Sequence, residues 1–271
     1  MQGDRPKVGL VLGSGSARGL AHIGVIQVME ENEIPIDFIV GCSIGAMVGG
    51  IYAAGAKINM LDRLIEYMDT SLLFDVRFPR MGFMEGKKIH YFLELMTKNK
   101  TFADLDIPLI TVATDLISGE AVVFKEGLVA EAIRASISIP GVFQPVHMDK
   151  MILVDGAVAN RLPIDVAQEQ GADIIIAVEV NYTHSREIII NTAMDVIMTS
   201  LDIMQKPQFD LIAEQADILI KPEVGHYASK DFNKSRELVA LGRQAAEANL
   251  EAIKQKISSY AFVAQSTKTS P

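Results

Sequence analysis

Phe38-Ile39-Val40-Gly41-Cys42-Ser43-Ile44-Gly45-Ala46-Met47-Val48-Gly49-Gly50 is the stretch whose reading decides the fold. An apolar strand runs into Gly41, a serine stands at the tip, and a helix of small residues leaves from Ile44. This is a G-x-S-x-G arrangement in strand–turn–helix surroundings, the context of a nucleophile elbow. The turn is tight, so Gly41 and Gly45 leave room around Ser43 where larger side chains would meet the backbone. At a helix N-terminus, free N–H groups and the helix dipole favour developing negative charge. A glycine-rich helix start with a serine cap would read the same way in isolation, so the rest of the chain has to decide.

Upstream, Lys7-Val8-Gly9-Leu10-Val11-Leu12 is short, apolar and without polar alternation, as a strand buried on both faces would be. It ends in Gly13-Ser14-Gly15-Ser16-Ala17-Arg18-Gly19, and a helix is predicted over 20–32. A right-handed crossover leaves this strand and the one before Ser43 parallel, ending at the same sheet edge. The glycine loop has three readings. A dinucleotide site needs an acid closing the second strand, but Asp37 opens that strand and the glycines are spaced G-x-G-x-x-x-G. A phosphate loop needs a terminal Gly-Lys-Ser/Thr, which this loop lacks. The third reading is an oxyanion hole made of consecutive N–H groups at a strand end.

Downstream, residues 57–100 read as amphipathic helices interrupted by the irregular apolar stretch 71–84, which is either a packed loop or the wall or lid of an acyl pocket. Strands are predicted over 108–115 and 120–124, a helix over 131–136, and a break at Ser138-Ile139-Pro140-Gly141. Met151-Ile152-Leu153-Val154 is a short strand ending in Asp155-Gly156-Ala157. Such an acid points into a site at the strand's carboxyl edge, or else forms an ordinary Asp-Gly turn. A helix over 161–171, a buried strand over 174–180, a Met-rich helix over 188–205, a strand over 217–220 and a terminal helix over 234–256 complete the pattern. The Met-rich helix reads as packing, with a dimer or membrane-facing surface as the alternatives. Residues 264–271 read as a polar, disordered tail.

At 271 residues and 49% apolar, the chain suffices for one large α/β domain. It has no apolar run of the ~18 residues that a membrane-spanning helix needs. A single cysteine, Cys42, precludes an internal disulfide and fits a reducing compartment, so a cytoplasmic location is expected. The net charge of −9 argues against nucleic acid as a partner and against strong docking on anionic lipid. No Cys/His cluster with ligand spacing is present, so neither metal nor other cofactor is expected.

A serine nucleophile needs a base. An α/β-hydrolase order would use His184 or His226, but that fold places its nucleophile after several strands, and Ser43 follows two. His22 and His90 fall inside helices and His147 near a strand, so each reads as structural or surface. A carboxylate remains as the candidate base. At this point the chain resembles the bacterial patatin-like phospholipases. The resemblance is carried by 13–24, by Gly41-Cys42-Ser43-Ile44-Gly45, by Ile133-Arg134-Ala135-Ser136-Ile137-Ser138-Ile139-Pro140-Gly141, and by Asp155-Gly156-Ala157 with Asn160-Arg161-Leu162-Pro163. It spans about residues 7–182, and the family's G-G-G-x-R/K-G loop here carries serine at positions 14 and 16. The resemblance implies a three-layer α/β sandwich with a mainly parallel sheet; with no domain-sized linker in the chain, one domain is expected over 1–263, with a motif-bearing core over 7–182 and a helical C-terminal part over 188–257. It implies Ser43 as nucleophile, Asp155 as base, with Gly156 and Ala157 completing that motif, and an oxyanion hole at Gly15, Ser16, Ala17 and Arg18. It further implies hydrolysis of a lipid acyl ester through an acyl-serine, with transient contact at a membrane surface. An acyltransferase, or a lipid-binding regulator with weak turnover, are the competing readings on the same fold.

Overall fold

The computed structural model describes residues 5–73, 75, 84–181, 190 and 193–268. The chain opens with β1 (Val8–Leu12), α1 (Ala21–Glu31), β2 (Phe38–Cys42), α2 (Ile44–Ala53), α3 (Ile58–Tyr67) and α4 (Lys87–Met96). It continues with β3 (Leu109–Asp115), β4 (Ala121–Phe124), α5 (Val129–Ser136), β5 (Val146–Met148), β6 (Met151–Asp155) and α6 (Ile164–Glu169). It closes with β7 (Ile174–Val178), α7 (Ala193–Ala213), β8 (Ile218–Ile220) and α8 (Ser235–Lys268).

Five strands run parallel in the order β3-β2-β1-β7-β8, and β4, β5 and β6 join antiparallel at the β3 end. Successive strand side chains point to opposite faces. Leu10, Leu12, Ile39, Ile174 and Ile176 accordingly pack with Ile23, Ile26, Ile51, Leu61, Ile133 and Leu238, from helices on one face. Val11, Phe38, Val40, Ile175 and Ala177 pack on the other face with Ile164, Val166, Phe209 and Ala213 of α6 and α7. The result is a three-layer α/β/α sandwich with a mainly parallel sheet, and the double-sided burial accounts for the unbroken apolar strands.

β3 is the strand on which the site is built. Val112 pairs with Cys42 of β2 and with Val123 of β4, so β2 and β4 lie on opposite edges of β3. Thr114 pairs with Ala121 of β4 and with Val154 of β6, so β6 lies on the same edge as β2. That edge is shared end to end. β2 occupies it up to the Cys42–Val112 pair, and β6 enters antiparallel from the other end up to the Asp155–Ala113 pair. The carboxyl ends of two strands more than a hundred residues apart in sequence therefore meet head-on.

The largest departures from the bounds read in the sequence fall in three helices. α6 begins at Ile164, because Pro163 occupies its N-cap. α7 begins at Ala193 and runs past Pro207 to Ala213. α8 continues to Lys268, through the stretch expected to be a disordered tail; no Pro or Gly interrupts 257–268. In the irregular stretch 71–84, residues 74 and 76–83 lie outside the described residues, as does His184. No described helix is long and apolar enough to cross a membrane.

Candidate active site

Ser43 sits between β2 and α2 with φ 55° and ψ −122°, a backbone conformation L side chains rarely adopt. The elbow survives because its neighbours are small. A Cβ on Gly45 would stand 2.1 Å from the Leu12 carbonyl oxygen, and one on Gly41 2.5 Å from the Ala46 Cα. The turn thus packs directly on the end of β1, which brings the glycine loop next to the serine.

The buried Ser43 hydroxyl donates to Asp155 Oδ2 at 2.5 Å. Asp155 is fixed at every polar atom. Its Oδ1 accepts from the Ala157 N–H at 2.8 Å, its own N–H donates to the Ser138 carbonyl at 2.9 Å, and its carbonyl accepts from Thr114 Oγ1 at 3.0 Å. Gly156 is required by the same crossing, since a Cβ there would lie 2.2 Å from the Val112 carbonyl oxygen. Burial pushes the Asp155 carboxyl up to about 6, opposed by the Ser43 hydroxyl, the Ala157 N–H and the charge of Arg161. At neutral pH the group is therefore ionised yet more basic than an ordinary carboxylate. The adjacent Cys42 thiol is pushed up by burial first and by Asp155 second, and stays protonated.

Gly15, Ser16 and Arg18 line a cavity of about 140 Å³ together with Ser43 and Asp155. Ala17 is placed differently. It is buried, is absent from that lining, and its N–H donates to the Ser229 carbonyl at 3.1 Å. The sequence-based assignment of Ala17 as an oxyanion donor therefore does not fit this geometry. His22 holds the start of the loop, with Nε2 2.8 Å from the Gly13 carbonyl oxygen. Burial lowers His22 to about 4, so the ring is neutral and Nε2 carries the donated proton.

The roof of the cavity joins Arg18 and Arg161, both in the quoted motifs, to Asn181, Asp202 and Gln205, which sequence reading passed over. Arg18 donates to Asn181, and Asn181 donates to Asp202 on α7 at 3.3 Å. Asp202 pairs with Arg161 at 2.6 Å, both buried, and Arg161 also donates to Gln205 at 3.0 Å. Gln205 in turn donates to the carbonyls of Ala157 and Val158. α7 is thereby tied to the loop that follows Asp155. Its signal in the sequence was slight: Thr199, Asp202 and Gln205 recur every three residues along α7, among other polar residues of that helix, and all three line the cavity. His226 lines it too, from the segment 226–229.

Comparison with known proteins identifies a family for the chain. A family model described as "Patatin-like phospholipase" matches residues 10–167, more than half of the chain. An NTE family protein of Mycobacterium tuberculosis is 40% identical over 182 residues, 65% of this chain and 49% of the relative. Patatin-like phospholipase domain-containing protein 6 of Homo sapiens is 33% identical over 181 residues, 64% of this chain and 13% of that protein. The chain spans about half the length of the mycobacterial relatives it matches. Among solved structures, VipD from Legionella pneumophila aligns with a TM-score of 0.58 at 14% identity, covering 92% of this chain and 67% of VipD.

Proposed function

The chain belongs to the patatin-like phospholipase family, and from that premise we propose that it is a serine lipid acyl hydrolase working through a Ser43–Asp155 dyad. The observation that carries the reading is the 2.5 Å hydrogen bond from Ser43 Oγ to Asp155 Oδ2 inside a cavity that the glycine loop also lines. Ser43 Oγ attacks the ester carbonyl carbon as its proton passes to Asp155 Oδ2. The negative charge that develops on the carbonyl oxygen is held by N–H donors of the Gly15-Ser16 and Arg18 loop. Collapse expels the alcohol, which takes the proton from Asp155. Water, deprotonated by the same carboxylate, then releases the fatty acid from the acyl-serine. The substrate class is a phospholipid or lysophospholipid ester, in keeping with a relative from Cryptococcus neoformans, 34% identical over 182 residues, named a lysophospholipase.

The test is hydrolysis of p-nitrophenyl esters and of a lysophospholipid by Ser43→Ala and Asp155→Asn. Each variant is expected to lose at least about 10³-fold in kcat/KM while keeping its fold. Wild-type turnover by either one overturns the dyad.

A further inference from the structure

We infer that Ser136 is the positioning residue for the nucleophile: its buried hydroxyl bridges the Ser43 N–H and the Val112 carbonyl, fixing the elbow where β2 leaves β3. The inference rests on the Ser43–Asp155 reading. Ser136 Oγ accepts from the Ser43 N–H at 2.8 Å and donates to the Val112 carbonyl oxygen at 2.6 Å. Ser136 is fully buried. It is the last residue of α5, where a serine commonly turns its hydroxyl back to a carbonyl of its own helix. Here it reaches instead across to the sheet.

The shared edge of β3 explains why a hydroxyl is needed there. β2 stops pairing at Cys42–Val112 and β6 begins at Asp155–Ala113. Between them the chain must turn sharply into Ser43, at positive φ. Sheet hydrogen bonding does not continue directly through that turn; the buried Ser43 N–H and the Val112 carbonyl oxygen meet instead through the Ser136 hydroxyl. One hydroxyl, which can donate and accept together, closes both. No apolar side chain could replace it.

Two consequences bear on the reaction. The Ser43 N–H is engaged away from the cavity, so it does not serve the oxyanion, and the glycine loop must supply donors. The same short segment also holds the base, since the Ser138 carbonyl accepts the Asp155 N–H at 2.9 Å. Residues 136–138 therefore set the Ser43–Asp155 distance from both sides. Arg134 anchors this segment through Ser138 Oγ at 2.6 Å and the Gly86 and Gln144 carbonyls at 3.2 Å each.

The experiment compares the wild type with Ser136→Ala, Ser136→Cys, Ser136→Thr and Ser43→Ala, all as the full chain. Three readouts are followed: the rate of labelling by a fluorophosphonate probe, kcat and KM on a p-nitrophenyl ester, and the thermal midpoint. Ser136→Cys preserves volume but weakens both hydrogen bonds, whereas Ser136→Thr preserves the hydroxyl. A positioning role predicts labelling and kcat down about 10- to 100-fold in the Ala and Cys variants, with KM within about 2-fold of wild type. Ser136→Thr should recover the larger part of kcat. Labelling at the wild-type rate in folded Ser136→Cys overturns the positioning role while leaving the dyad standing. Labelling that persists in Ser43→Ala overturns the dyad and the positioning role with it.

Discussion

Asp155 is a carboxylate held against its own preference. Its carboxyl titrates near about 6, chiefly because burial disfavours the charge. The proposed base role requires the ionised form, so kcat/KM should fall on the acid side with a limb near pH 6, and a limb at an ordinary carboxylate value near ~4 would count against Asp155 as the base. Stability follows with the opposite sense. Between ~4 and about 6 the native state binds more protons than the unfolded chain, so stability falls as pH rises through that window. The native penalty above it is about 3 kcal/mol. Asp155→Asn removes the charge but can still accept from the Ala157 N–H. It should melt at or above the wild-type temperature at pH 7.5, with the difference shrinking towards pH 4. A variant less stable than wild type at pH 7.5 would show that the ionised carboxylate supports the fold.

Ser43 carries a second local tension. Positive φ at Ser43 stores roughly 1–3 kcal/mol, which glycine would release. Ser43→Ala keeps the strain and Ser43→Gly does not. Both should be inactive, with the glycine variant about 1 kcal/mol more stable in urea unfolding after its greater chain entropy is counted. Equal stabilities would mean an unstrained elbow.

Among the elements, α7 closes the site through buried polar contacts and not through apolar packing alone. Removing Asp202 leaves the Arg161 guanidinium, 9% exposed, without its carboxylate. Breaking one side of a buried pair is expensive, so Asp202→Ala should cost about 3 kcal/mol in chemical denaturation. Asp210→Ala, which breaks the exposed Lys206–Asp210 pair on the same helix, should cost under about 0.5 kcal/mol. Similar losses in the two would remove the special role of the buried pair. The same contrast explains what could be read in advance. The strand–elbow–helix unit at Ser43 is local, and residue size and periodicity are enough to specify it. The meeting of Ser43 with Asp155 is not local. It depends on two strands sharing one edge of β3, and only the ordered motif blocks hinted at it. Asn181 carries no local signature, Asp202 and Gln205 only their three-residue spacing on α7, and Ser136 only its place in the motif block 133–141, because a serine or an amide acquires a role only from what it faces across the fold. Ala17 was misplaced for the same reason, since its N–H is taken by Ser229, far along the chain.

At the scale of the whole molecule, the sheet and its core extend beyond the span that the family model matches. The family match ends at residue 167, before β7, yet β7 lies between β1 and β8 in the sheet. α8 lies across α1 at backbone contact: a Cβ on Gly24 would meet the Val239 carbonyl oxygen at 2.0 Å, and one on Gly242 the Ala21 carbonyl oxygen at 2.0 Å. That crossing buries Leu238, Val239, Ala246 and Ile253 against the core that holds α1 in place behind the glycine loop. Burial of the Leu, Val and Ile side chains at about 1.5–3 kcal/mol each is comparable with the whole stability of a typical domain, about 5–15 kcal/mol. A chain truncated after residue 182 keeps every motif but loses α7, β8 and α8. It should show no cooperative thermal transition, should bind a hydrophobic dye, and should fail to label with a fluorophosphonate. Gly242→Leu in the full chain should move in the same direction, because the added side chain would force α8 off α1. A truncated chain that melts cooperatively and labels at Ser43 would show instead that the last ninety residues are an accessory to a core that folds by itself.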